Sequence, residues 1–80
     1  MRILLIEDDA TLGRALQEFL SGQGYAVDWL AEGRRSLLAI KNYTYDLAVL
    51  DLNLPDMDGL EVLKAFRQEG RYLPVLVLTA

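Results

Sequence analysis

An α/β chain with a parallel sheet is the fold class that this sequence predicts, and three observations carry the prediction. Short runs rich in Ile, Leu and Val alternate with segments whose apolar residues fall at helical spacing. The connections between them are short, with no linker, internal repeat or low-complexity stretch. Two of the apolar runs end in acids, Glu7-Asp8-Asp9 and Asp51. The order β-α-β-α-β-α-β implies parallel strands, right-handed crossovers and helices on both faces of the sheet. A length of 80 residues allows one domain at most, with a modest core.

Residues 2–7 form a continuous apolar run, which reads as a strand buried on both faces. Residues 10–22 place Leu12, Ala15, Leu16, Phe19 and Leu20 at helical spacing, and Gly22 or Gly24 ends that helix. Residues 25–30 read as a second strand. Residues 34–41 read as a short helix with Leu37, Leu38 and Ile40 as its apolar residues. Residues 46–51 are a third buried strand, followed by a loop over 52–58 that carries Pro55. Asp58 has the character of an N-cap, with Glu61 three residues on as in a capping box. Leu60, Leu63 and Phe66 make an apolar face on a helix over 59–69, which Gly70 closes. Pro74 opens a last strand, Val75-Leu76-Val77-Leu78-Thr79. That strand meets no later segment that would cover its open edge, a liability for an apolar strand. The expectation is a fragment of a larger domain, or a partner on that edge.

Composition excludes several classes. The hydrophobic fraction of 52% is too high for a disordered tail. A net charge of −4 with scattered Lys and Arg argues against a nucleic-acid surface, and the one adjacent basic pair, Arg34-Arg35, reads as a solvated helix face. With no Cys and no His, disulfides, thiolate metal sites and a histidine base are excluded from this chain. Met1-Arg2 and the apolar residues that follow are too short for a signal peptide, and no run approaches a membrane span. A cytoplasmic protein is therefore expected. Asn42-Tyr43-Thr44 matches a glycosylation pattern that has no meaning without secretion.

In open α/β sheets, ligands bind beyond the carboxyl ends of the strands. The first, third and fourth strands end in Glu7-Asp8-Asp9, Asp51 and Thr79. If those strands are neighbours, Asp8 and Asp51 meet in one pocket. Two carboxylates about 4 Å apart repel by roughly 4 kcal/mol at an effective dielectric of about 20. Such a cluster persists when a cation neutralises it or when one acid stays protonated. The candidate ligands are few and all hard oxygens, which favours Mg²⁺ that keeps several waters. The alternative is a solvated acidic rim. An aspartate beside Mg²⁺ can also act as a nucleophile toward phosphorus. Thr79 then offers a hydroxyl to a phosphoryl oxygen, or is an ordinary β-branched strand residue.

The chain resembles the receiver domain of bacterial two-component response regulators, in the transcription-factor branch called the OmpR/PhoB type. Four stretches carry the match: Arg2-Ile3-Leu4-Leu5-Ile6-Glu7-Asp8-Asp9; Tyr45-Asp46-Leu47 through Asp51; Leu54-Pro55-Asp56-Met57-Asp58-Gly59; and Pro74-Val75-Leu76-Val77-Leu78-Thr79-Ala80. Their order and spacing make the set specific. The resemblance implies a flavodoxin-like (CheY-like) doubly wound parallel sheet, with strand order 2-1-3-4 here. It implies that Asp51 is the phosphoacceptor, that Asp8 binds Mg²⁺ directly and that Glu7 acts through water. Asn53 would lend its backbone carbonyl to the metal, and Thr79 would be the switch hydroxyl. Asp9 matches no site position and is expected to face solvent or cap the first helix. Pro55 and Gly59 look like shape residues of the loop, and small Ala80 would leave access to the site.

The same resemblance implies parts that these 80 residues lack. They are a last helix-strand-helix stretch with a lysine for the phosphoryl group, the face used to dimerise, and a C-terminal DNA-binding domain. Lys41 and Lys64 fall on helices and do not substitute for that lysine. The implied partners are a sensor histidine kinase, DNA only through the absent domain, and a second copy through a dimer or the strand edge. Residues 1–80 are thus expected to be the N-terminal part of a receiver. Three other readings compete. An aspartate-nucleophile phosphatase would carry a second Asp where this chain has Asn53. A dinucleotide-binding module would place its glycines after the first strand, whereas Gly22-Gln23-Gly24 follows a helix. The last is an interaction fragment that is not phosphorylated.

Overall fold

The first strand, β1 (Arg2–Ile6), lies at the centre of a parallel sheet because both of its faces are apolar. The computed structural model describes residues 1–69 and 72–78. After β1 come α1 (Ala10–Gly22), β2 (Ala26–Leu30), α2 (Gly33–Asn42), β3 (Leu47–Asp51), α3 (Gly59–Gln68) and β4 (Val75–Leu78). The strand order is β2-β1-β3-β4, all parallel, as expected. Element ends differ from the sequence reading by one residue at most. The readings placed on Gly70, Thr79 and Ala80 lie outside the described residues.

Side chains alternate across a strand, so β1 feeds two cores. Leu4 and Ile6 join Ala48, Leu50, Ile40, Val62 and Phe66 on the side of α2 and α3. Ile3 and Leu5 join Val49, with Leu16 and Leu20 of α1 packed against them. The four residues Ile3, Leu4, Leu5 and Ile6 are fully buried, which is why the run is continuous rather than alternating.

Three helix faces differ from the sequence reading. On α3, Leu60 is 60% exposed, while Val62 and Phe66 are fully buried. Val62 and Phe66 stand four residues apart on one stripe, and Leu60 lies two residues from Val62, about 200° round the axis. On α2, Leu38 is exposed for the same reason, and Ser36 and Ile40 face the core. Ser36 is tolerated there because its hydroxyl donates to the Gly33 carbonyl. On α1, Leu16 and Leu20 pack on the sheet, whereas Leu12 and Phe19 flank that stripe and stay exposed. The helix ends at Gly22, Gln23 caps it, and Gly24 reverses the chain at φ 93°.

The amino-terminal end of the sheet is held by a polar group that the sequence did not announce. Asp28 accepts from Arg2 Nη2 at 2.7 Å and from the Tyr45 hydroxyl at 2.6 Å. The Arg2 amide donates to Asp46 at 2.7 Å. The Tyr45 hydroxyl, then Arg2, hold the Asp28 carboxyl below its ordinary range. The pair is partly exposed, so its contribution is register between β1, β2 and β3 more than energy.

Truncation separates the two faces of α3. Phe66→Ala lowers unfolding free energy by roughly 3–5 kcal/mol. Leu60→Ala changes it by less than about 0.5 kcal/mol. Urea denaturation of the two variants beside the parent checks this.

Candidate metal centre

Parallel pairing of β1 with β3 sets Ile6 opposite Leu50, and both strands deliver their acids to the same edge. Carboxylate oxygens of Glu7, Asp8 and Asp51 lie within 4.8 Å of one another. Asp51 is half-buried at the end of β3, Asp8 is exposed, and Glu7 is only 2% exposed. These three line a cleft of about 360 Å³ with Asp9, Asn53, Leu12 and Leu78. Among the described residues, no Lys or Arg lines it, and Lys41 instead approaches Glu69 at 3.9 Å.

Negative charge so placed raises the proton affinity of its most buried member. Burial, then a hydrogen bond with Asp51, pushes the Glu7 carboxyl from 4.5 up to about 7, and the charges of Asp51 and Asp8 act the same way. The Asp9 amide, donating to Glu7 Oε2 at 3.3 Å, opposes the rise. Three carboxylates with no cationic side chain among the described residues lining the cleft suit a hard divalent cation, which takes few protein oxygens and keeps water.

Neighbouring acids have other work. Asp9 caps α1, accepting from the amides of Thr11 at 2.9 Å and Leu12 at 3.1 Å. Asp58 caps α3 by accepting from the Leu60 amide at 2.9 Å, the two-residue reach of an Asx turn rather than the three-residue reach of a capping box. The Asn53 backbone N–H donates to Asp51 Oδ1 at 3.0 Å, and Asn53 pairs with Asp58 in an isolated bridge. Gly59 lies so close to Leu52 that a Cβ there would stand 2.5 Å from the Leu52 Cα.

Sequence reasoning missed four members of this setting. Leu12 and Leu78 form an apolar lip of the cleft. Asp56 caps α2 from the 52–58 loop, accepting from the amides of Gly33 at 2.8 Å and Arg34 at 3.0 Å. Those amides hold its carboxyl below the ordinary range, Arg34 first. An aspartate after a proline does suggest a cap, but its partner helix starts 23 residues earlier. Trp29 donates its indole N–H to the Glu7 carbonyl at 2.8 Å, a contact across the sheet with no local signal.

A doubly wound parallel sheet with an acid cluster beyond β1 and β3 defines a class of α/β protein in which chemistry sits at the carboxyl edge. Residues 3–80 match the family model described as response regulator receiver domain, and the chain belongs to that family. Its relatives are regulators of the OmpR/PhoB type. The transcriptional regulatory protein QseB of Haemophilus influenzae is 51% identical over 80 residues, which is 100% of this chain and 36% of that protein. The chain thus spans about a third of the length of the curated relatives it matches. Among solved structures, the non-phosphorylated HemR receiver domain from Leptospira biflexa matches with a TM-score of 0.92 and 39% identity, over 99% of this chain and 64% of that one. TrrA from Thermotoga maritima, solved in complex with Mg(2+)-BeF, matches with a TM-score of 0.92 and 33% identity, over 99% and 69%.

The raised carboxyl gives a pH dependence. Native Glu7 keeps its proton up to about pH 7, while the unfolded chain releases it near 4.5. Between those values the native state holds the extra proton, so this contribution to stability is full below 4.5 and is lost as pH rises through about 7. In metal-free buffer, Glu7→Gln flattens that part of the stability profile, as read from urea midpoints across the window.

Proposed function

We propose that this chain is the phosphoacceptor part of a two-component response regulator. Asp51 takes a phosphoryl group from a sensor histidine kinase and thereby controls a DNA-binding output that lies outside these residues. The observation that carries the reading is the meeting of the Glu7, Asp8 and Asp51 carboxylates within 4.8 Å, with Asp51 at a strand end open to a donor.

Asp8 and Asp51, with the Asn53 backbone carbonyl and Glu7 through water, are the proposed ligands of Mg²⁺. When bound, that ion neutralises charge on phosphoryl oxygens. An Asp51 oxygen forms the new bond to phosphorus as the bond to the kinase imidazole nitrogen breaks. The nitrogen keeps the electron pair, and the product is an acyl phosphate. The Asn53 backbone amide, donating to Asp51 Oδ1 at 3.0 Å, restrains the carboxylate where it lines the cleft. Thr79 is the proposed switch hydroxyl, and a lysine from the following segment of the receiver completes the site. The added charge of about −1.5 to −2 biases a two-state element in the whole regulator.

The chain is proposed to be a signalling module rather than a turnover enzyme, because Asn53 stands where a phosphatase of the aspartate class needs its acid. Among the described residues, no helix is long and apolar enough to cross a membrane. A cytoplasmic setting fits a kinase donor and a DNA target. A second copy is a further proposed partner.

In the whole receiver, acetyl phosphate with Mg²⁺ adds one phosphoryl group, seen by intact mass and lost on chelation of the metal. Asp51→Asn abolishes the adduct. Retention of the adduct in that variant would overturn the assignment of the acceptor. Asp8→Asn weakens Mg²⁺ binding by calorimetry while leaving the fold intact.

A further inference from the structure

The Glu7 backbone is held entirely from β2. Its amide donates to the Leu30 carbonyl at 3.0 Å, continuing the β1–β2 ladder one step past the strand. The next rung would need an amide from the residue after Ala31, but there the chain turns away to start α2. The Trp29 indole N–H takes that place, donating to the Glu7 carbonyl at 2.8 Å. The ring reaches it by lying against Gly13, the one buried residue of α1, where any Cβ would overlap the indole. Trp29 otherwise packs with the core on the α1 side of the sheet.

This arrangement fixes the peptide that joins Glu7 to Asp8, and both side chains of that peptide enter the cleft. We propose that Trp29 is a positioning residue for the acid cleft: through its hydrogen bond to the Glu7 carbonyl it aims Glu7 and Asp8 at Asp51, and it couples cation occupancy to the α1–β2 seam. The inference rests on the Mg²⁺ reading above. Trp29→Phe removes the donor together with the part of the ring that lies against Gly13, so the variant reads both losses, while the wild-type indole resonance reads the hydrogen bond itself. Hydrogen bonds that orient metal-ligating groups typically govern affinity by about 10–100-fold, and this one acts through the Glu7 backbone, which places it at the low end of that range.

Calorimetric titration of the whole receiver with MgCl₂ tests it, together with the indole N–H resonance that Trp29→Phe removes from the proton–nitrogen spectrum. The wild-type protein binds Mg²⁺, the Trp29 resonance moves in step with saturation, and Trp29→Phe weakens binding at least about tenfold with an unchanged circular dichroism spectrum. An equal Kd in Trp29→Phe overturns the inference, and so does a Trp29 resonance that stays still across saturation. The second measurement needs no variant to fold beyond identifying the peak. Either result leaves the Mg²⁺ reading standing, provided the wild type binds. A wild-type protein that binds no Mg²⁺ overturns that reading and the inference with it.

Discussion

Adjacent parallel strands β1 and β3, each ending in acid at the same level of the sheet, impose the constraint on which the rest of this molecule depends. Backbone hydrogen bonding between them is cooperative with two buried cores, so the strand ends have no freedom to separate. Glu7, Asp8 and Asp51 are thereby held together against their mutual repulsion. Burial of Glu7, then its hydrogen bond with Asp51, and to a smaller degree the repulsion, leave a carboxyl that keeps its proton to about pH 7. A site of this kind is preorganised: the fold has already brought the charges together, so a cation or proton relieves strain that packing created.

Most other aspartates in the chain are spent on the backbone. Asp9, Asp56 and Asp58 each accept main-chain amides at a helix start, where such donors have no partner within the helix. Asp28 accepts from a guanidinium and a phenol at the far end of the sheet. Two of the caps belong to the 52–58 loop, and Asp56 ties that loop to α2 while Asp58 ties it to α3. The loop that carries Asn53 is thus tied to both α2 and α3.

Much of the site was readable because its signals are local. An apolar run stopping at an acid marks a strand end, and Asp8 and Asp51 follow from it, whereas for Asp9 the sequence allows either solvent or a cap and the structure shows the cap. Helix faces were less legible: Leu60 and Leu38 look apolar in the chain yet face outward, because composition names the hydrophobic residues and packing against the sheet selects the stripe. Asp56 and Trp29 were illegible, since each contact spans more than twenty residues, at separations of 23 and 22.

The sequence by itself determined the alternation of strand and helix, the acids at two strand ends, and the resemblance that names a family. Those depend on periodicity and on short contiguous patterns. Only the tertiary structure decided that Glu7 is the buried acid of the three, that Asp56 caps a distant helix, and that an indole completes the strand ladder beside the cleft. Burial and long-range hydrogen bonds are properties of how elements stack, and no window of neighbouring residues contains them.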